Sequence, residues 1–285
     1  MKADLDHPYQ VLDVFTDTPL QGNPLAVFTD AELIPQRLMQ SVARELNLSE
    51  TVFVLPGDAE RCDAELRIFT PATELPFAGH PTLGAAFVVG ARDDLDLVRL
   101  GTGAGVVPVR LIREDAEIVY GEMDQPIPTV EPYRDSAALL AALGVDPAAV
   151  ALPIERYVNG PAHVIVALDS VDTLAPDMGA LTAIGPHGVA VVAMVTDGAV
   201  KTRNFCPGLG VPEDPATGSA AGPVALHLAR HGWAAFDERI LVDQGAEIGR
   251  PSRLVARACG SAEHPAPITV GGSAVRVASG VFRIA

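Results

Sequence analysis

Basic charge is scarce in this chain. Against 36 Asp and Glu stand only 20 Lys and Arg, a net charge of −16 with a pI near 4.7. Such a protein repels a phosphate backbone, and no Lys/Arg-rich run offsets the repulsion, so nucleic-acid binding is excluded as an expectation. Long apolar runs are also missing. None approaches the roughly 20 residues that cross a bilayer, and the opening MKADLDHPYQ lacks the apolar core of a signal peptide. A soluble, cytoplasmic chain with no membrane partner is expected. Cysteine is rare: Cys62, Cys206 and Cys259 are odd in number and far from CxxC spacing, which excludes a disulfide or zinc framework and fits a reducing compartment. What is present is hydrophobic, 48% of 285 residues, enough for one large core or two ordinary ones.

Strands and helices alternate along the chain. Tyr9–Phe15 and Pro24–Phe28 are strand-like, separated by the loop TDTPLQGN. In PQRLMQSVARELN, residues Leu38, Met39, Val42, Ala43 and Leu46 share one helical face, with Asn47 a suitable left-handed stop. LSETVFVL and DAELRIFTP read as strands. GTGAGVVPVRLIRED and AEIVYGEM predict hairpins, not a nucleotide loop, because the glycines do not lie between a strand and a helix. Later come a helix near Ser136–Leu143 and strands at His163–Ala167 and Val189–Val195.

An internal repeat organises these elements. RIFTPATELP begins at Arg67 and RNFCPGLGVP at Arg203, 136 residues later, both fitting R-x-F-x-P-x-x-x-x-P; the same offset carries Asn23 onto Asn159, each beside a glycine. A shared offset for two separate matches points to duplicated halves. The Pro-rich DQPIPTVEPYRD is the expected linker. After each repeat comes a glycine turn and an almost wholly apolar helix, FAGHPTLGAAFVVG and EDPATGSAAGPVALHLARHG, with Gly90 and Gly232 as expected C-terminal stops and Pro223 expected in or near the first turn. A helix without a polar side must be enclosed, and a curled sheet supplies the enclosure. Only its N-terminus would stay open, with unpaired N–H groups and the positive end of the dipole. Two facing lobes would point two such ends into one cleft, suited to a small carboxylate.

The segments QGNPLAVF, LNLSETVF, FTPATELPFAGHPTLGAA and DPATGSAAGP together resemble the PhzF-type phenazine-biosynthesis isomerases, which share the diaminopimelate epimerase fold. The resemblance covers nearly the whole chain. It implies an α+β protein of two similar lobes, each a curled, mostly antiparallel sheet around a central apolar helix. Residues 1–124, completed by a C-terminal strand near 275–285, would form one lobe and 125–274 the other. It implies cofactor-independent proton transfer on a small carboxylate-bearing substrate, without metal, by a homodimer. Carried over by motif, Glu50 is the general acid/base, His80 and Asp214 its supporting catalytic pair, and Gly79, Gly218 and Ser219 line the substrate. One departure is Ala78, where many relatives carry Cys, a change that bears on pocket shape.

Read without the resemblance, these residues keep other roles open. A proton shift at carbon needs a group whose pKa can move toward neutrality, as a desolvated carboxylic acid does. Yet Glu50 also reads as a solvated glutamate at a helix exit, His80 as a helix-capping histidine and Asp214 as an N-terminal cap. Glu74 reads as a cap or surface group beside the motif, and Asn23 and Asn159 as turn formers before substrate contacts. His227 and His231 have the i,i+4 spacing of a metal pair but lack the Glu that would complete that motif. Ser219 lies outside a G-x-S-x-G elbow. Three functions fit: a one-base isomerase using Glu50, an amino-acid epimerase or racemase needing two opposed bases, and a non-catalytic metabolite-binding protein. Paired cysteines are excluded as the two bases, since the 136-residue offset sets Cys206 against Thr70 and Cys62 against Gly198.

Overall fold

The computed structural model describes residues 5–195 and 199–284, which leaves Gly198 outside the described residues. The chain divides into two compact units, Met1–Asp124 with Gly271–Ala285, and Gln125–Val270.

In the first unit, β1 (Leu5–Val14) pairs antiparallel with β2 (Asn23–Phe28) and with the last strand of the chain, Ala274–Ile284. β2 runs parallel to β3 (Glu50–Pro56), with α1 (Gln36–Leu46) as the crossover. β3 pairs antiparallel with β4 (Ala64–Phe69), and β4 with the two-residue β5 (Glu74–Leu75). After α2 (Gly79–Asp93), β6 (Leu97–Thr102) joins β4 in parallel and continues antiparallel through β7 (Gly105–Glu114) into β8 (Glu117–Gln125). The turn Asp115–Ala116 has both residues at positive φ, 48° and 71°, the left-handed pair that a two-residue hairpin requires. The Gly-rich region is therefore built of hairpins.

Both faces of this sheet are covered. Residues 79–90 of α2 are all buried, and the helix contacts β1, β2, β3, β4, β6 and β7. The approach is close: a Cβ at Gly84 would lie 2.5 Å from the Leu25 side chain, which would have to move to admit it. On the opposite face Met39, Val42 and Ala43 of α1 pack with Phe28, Phe53 and Phe69, whose rings stack at 5.1 Å and meet edge-on at 5.5 Å. This double covering explains why β2 and β3 are apolar on both sides rather than alternating. α1 ends at Asn47 with φ 52°, the left-handed stop expected. α2 does not end at Gly90 but runs to Asp93, with Asp94 taking the left-handed position. Gly90 is there for packing, since a Cβ would come 2.3 Å from Leu111.

The second unit repeats the order. β9 (Thr129–Pro132) pairs with β10 (Glu155–Val158), β10 with β11 (Ala162–Ala167), and β11 runs parallel to β12 (Gly188–Met194). β12 pairs antiparallel with β13 (Ala199–Cys206), and β13 with β14 (Val211–Asp214). After α5 (Gly218–Arg230), β15 (Ile240–Gln244) joins β13 in parallel and β16 (Ser252–Gly260) follows antiparallel. The last strands are β17 (Pro265–Gly272) and the terminal β18 (Ala274–Ile284). Helices α3 (Ser136–Leu143) and α4 (Met178–Ile184) cover the outer face through Leu139, Leu143 and Leu181. The expected linker thus contains strand β9.

The duplication also fixes which residues correspond. Thr51 pairs with Phe69 in one unit and Val189 with Phe205 in the other. The parallel pair Leu25 and Glu50 is matched by His163 and Gly188. Ile68 with Leu75 is matched by Asn204 with Asp214. The offset is therefore 138 residues between β2–β3 and β11–β12, 136 between β4 and β13, and 139 beyond them, the last slip of three being absorbed by the 3-10 turn Pro207–Leu209 and Gly210. From there the repeat reads E-x-P-x-x-G, at Glu74–Gly79 and at Glu213–Gly218. The counterpart of Pro76 is Pro215, not Pro212.

Candidate active site

The R-x-F element is a scaffold. Arg67 and Phe69 lie two apart on β4 and so share a face; the guanidinium stands 5.1 Å over the ring and forks onto Glu74 with bonds of 2.8 and 2.9 Å. Arg203 does the same over Phe205 at 5.0 Å, donating to Glu213 at 2.9 and 2.8 Å. Each fork anchors the short strand that leads into the central helix. Glu74 is therefore half of an ion pair, not a helix cap.

In the first unit this brings Glu50, Gly79 and His80 together. α2 starts at Gly79, after Ala78 in extended conformation and with no side-chain cap. Pro81, third in the helix, lacks an N–H that the first turn leaves unpaired in any case. His80 is buried, and its Nε2 lies 3.4 Å from Glu50 Oε2. On the other ring edge, Asn23 Nδ2 is 3.2 Å from Nδ1. Asn23 can only donate from that nitrogen, so Nδ1 accepts and the ring proton belongs on Nε2, facing Glu50. Burial keeps the imidazole neutral, pushing its pKa down to about 3. His80 is thus an uncharged ring whose Nε2 edge faces Glu50 at 3.4 Å, a contact without hydrogen-bond geometry, and it is not a helix cap.

In the second unit Asp214, Gly218 and Ser219 come together. The residue preceding α5 is Thr217, whose hydroxyl donates to Asp214 Oδ2 at 2.5 Å rather than capping the helix. Gln244 holds this turn from below: its Nε2 donates to Asp214 O at 2.7 Å and to Thr217 Oγ1 at 3.0 Å, while its Oε1 accepts from Thr217 N at 3.2 Å. Ser219 Oγ lies 3.0 Å from Nε2 of buried His163, also held neutral by desolvation, with a pKa of about 3. Pro223 is the sixth residue of α5, beyond the first turn. It cannot donate to Ser219 O, and Asn159 Nδ2 does so instead at 3.0 Å. Asn23 and Asn159 are both buried, and each is bound to the start of its own unit's helix, Asn159 from within the turn between β10 and β11. Gln125, whose Nε2 donates to Gly218 O at 2.7 Å, Thr217, His163 and Gln244 were not singled out from the sequence.

A His/Glu cluster lies elsewhere in this unit. Glu155, His227 and His231 offer ligand atoms within 4.8 Å of one another. One oxygen, Glu155 Oε2, accepts from Arg230 at 2.7 Å, Tyr157 at 2.7 Å, His231 at 3.1 Å and His227 at 3.2 Å. Burial alone would raise its pKa, but these donors hold the carboxyl well below the usual range. A cation would have to displace the guanidinium, so the donor set fits an ion cluster better than a metal centre.

Two buried neutral histidines make stability depend on pH. Their folded pKa values near 3 lie below the unfolded value of about 6.5. Between these limits the unfolded chain binds protons that the native state does not, so stability falls as pH falls. Unfolding free energies from urea titrations are expected to drop from pH 7 to pH 5, by on the order of 1 kcal/mol per pH unit for each ring. His80→Gln or His163→Gln should flatten the slope; an unchanged slope in both variants contradicts the assignment.

Comparison with known proteins completes the picture. The family model described as phenazine biosynthesis-like protein, PhzC-PhzF, matches residues 12–280. Proteins named trans-2,3-dihydro-3-hydroxyanthranilate isomerase are 48% identical over 96% of this chain and 98% of theirs in Pseudomonas aeruginosa, and 46% identical over 97% and 99% in Pseudomonas fluorescens. A Bacillus anthracis phenazine biosynthesis protein of the PhzF family superposes with a TM-score of 0.84 at 25% identity, covering 98% of this chain and all of that one. The fold extends to a hydroxyproline epimerase from Agrobacterium vitis, TM-score 0.69 at 14% identity, covering 98% of this chain and 91% of that one. With its matched halves and its full-length likeness to these isomerases, the chain belongs to the PhzC-PhzF phenazine biosynthesis-like family and is an isomerase.

Proposed function

We propose that this isomerase moves a proton between two carbons of a substrate of the trans-2,3-dihydro-3-hydroxyanthranilate type, with Glu50 as the proton carrier and no cofactor. The observation that carries this reading is the chain Asn23–His80–Glu50, with contacts of 3.2 and 3.4 Å. A carboxylate facing a neutral imidazole N–H can release and regain a proton without opposing a second charge, because that N–H stabilises its ionised form. His80 acts by orienting Glu50. Asp214 is assigned with His80 to supporting the proton transfer, and Gly79, Gly218 and Ser219 to lining the substrate; the start of α5, which has no side-chain cap, suits its carboxylate. Ala78 precedes Gly79 at one of these starts and helps to set the pocket's shape. The same resemblance carries the expectation of a cytoplasmic homodimer, consistent with three free cysteines.

The racemase reading lacks a second base of the same type at the matching place and would have to use unlike groups such as Glu50 and Asp214. Racemisation removes a proton on one face and returns one on the other, but the counterpart of Glu50 is Gly188 and that of Cys206 is Thr70. Proton NMR of the wild type with trans-2,3-dihydro-3-hydroxyanthranilate, and separately with the stereoisomers of proline and 4-hydroxyproline, tests this. Double-bond migration in the first and unchanged configuration in the others is expected. Inversion of a proline stereocentre with an inert dihydro compound would overturn it.

A further inference from the structure

The duplicated halves differ at one pair of places. In the first unit the helix start carries the imidazole, His80, and the neighbouring strand carries its partner, Glu50. In the second unit the helix start carries a hydroxyl, Ser219, and the imidazole sits on the strand, at His163. Where the first unit has Glu50, the second has Gly188, beside His163 in the parallel register. This glycine is required by space: a Cβ would lie 2.6 Å from His163 Nδ1 and 3.2 Å from Asn204 Oδ1. The second unit has no carboxylate at that position, and a buried ring occupies the room.

The direction of the bond between His163 and Ser219 follows from the ring's other edge. His163 Nδ1 is buried and makes no hydrogen bond to protein. A neutral imidazole carries one N–H, and a buried N–H without an acceptor is the rarer and more expensive arrangement than a bare acceptor. The proton therefore belongs on Nε2, which donates to Ser219 Oγ across 3.0 Å. The serine's own hydrogen is then not spent on the histidine.

Resting on the isomerase reading above, we propose that His163 is a positioning residue for substrate: by donating to Ser219 Oγ, it commits the Ser219 hydroxyl hydrogen to a carboxylate oxygen of the ligand at the start of α5. The opposite tautomer would turn that hydrogen toward the ring and present a lone pair to the carboxylate, which repels it. Gly188 supports the arrangement by leaving space for the ring. Within the second unit, His163 and Ser219 thus orient the acid group.

A double-mutant cycle tests this, read by calorimetric Kd for 3-hydroxyanthranilate, a stable aromatic carboxylate. Ser219→Ala and His163→Leu should each weaken binding about tenfold, the scale of one hydrogen bond to a charged group. Combined, they should weaken it no more than either alone. His163→Gln, whose side-chain amide N–H can reach the place of Nε2–H, should recover binding to within about threefold of wild type. The carboxamide of the same compound should respond much less to all four variants. Multiplying effects in the double variant, or wild-type affinity in His163→Leu, would overturn the proposal. Should His163→Leu fail to fold, Gly188→Ala pushes on the ring from its other edge; it should weaken binding in the wild-type background and not in Ser219→Ala, and unchanged affinity in the wild-type background overturns the proposal. A wild type that binds the carboxylate but leaves trans-2,3-dihydro-3-hydroxyanthranilate unchanged defeats the assigned reaction alone, whereas one that binds no carboxylate defeats both.

Discussion

Glu50→Gln is expected to lower turnover of trans-2,3-dihydro-3-hydroxyanthranilate by at least about a hundredfold, the lower end of what a positioned acid/base contributes. The amide fills the same volume and can keep the contact that Glu50 makes with His80 Nε2, so the arrangement of Asn23 and His80 survives. Folding should be nearly unchanged, because the amide is isosteric with the carboxyl it replaces at the first residue of β3. Ligand affinity should also hold within about threefold, since the variant loses a proton carrier rather than a contact. kcat measured beside a urea midpoint and a Kd checks all three. Near-normal turnover, or a loss of activity that tracks a loss of folded protein, would contradict the role given to Glu50.

The largest effect on stability is expected from Arg203, and its counterpart Arg67 is the control. Both guanidiniums fork onto a glutamate and stack on a phenylalanine with nearly equal geometry. Their solvent exposure differs: the side chains of Arg203 and Glu213 are each 9% exposed, against 25% and 44% for Arg67 and Glu74. Arg203 also donates to Leu174 O at 2.7 Å. Arg203→Met therefore leaves a buried carboxylate and a buried carbonyl without their donor, and should cost about 3–5 kcal/mol. Arg67→Met frees a glutamate that water can reach and should cost no more than about 1 kcal/mol. Adding Glu213→Leu to Arg203→Met should restore part of the loss, since it removes the stranded charge. Urea unfolding of the three variants decides it. Equal losses for Arg67→Met and Arg203→Met would show that burial is not what separates the two copies.

The R-x-F-x-P motif was legible because it obeys a local rule: residues two apart on a strand share a face, and both copies keep that spacing. The apolar helices and the hairpins were legible for similar reasons of period and turn chemistry. What the sequence hid were changes of register. A constant 136-residue offset matched Pro76 to Pro212 by coincidence, and the inserted turn at Pro207–Leu209 moved the true match to Pro215. Gly90 looked like a stop because stops favour glycine, yet the same residue type serves where Leu111 packs against a helix. Pairings across the fold were hidden too. His163 reaches Ser219 over 56 positions and Gln244 reaches Thr217 over 27, and no spacing along the chain marks a strand residue as facing a helix start. Asn159 was visible through the repeat, but its work, replacing the donor that Pro223 lacks, needed the helix boundary to be known.

The most direct test of the central claim, that the Glu50 carboxyl carries the migrating proton, is deuterium uptake from D2O by trans-2,3-dihydro-3-hydroxyanthranilate, read by NMR for the wild type and Glu50→Gln side by side. A carboxyl proton exchanges with solvent, so the wild type should form a carbon–deuterium bond at the carbon that receives the proton. Over the same time Glu50→Gln should form none while still binding the compound. Equal deuterium uptake by both proteins would contradict the account.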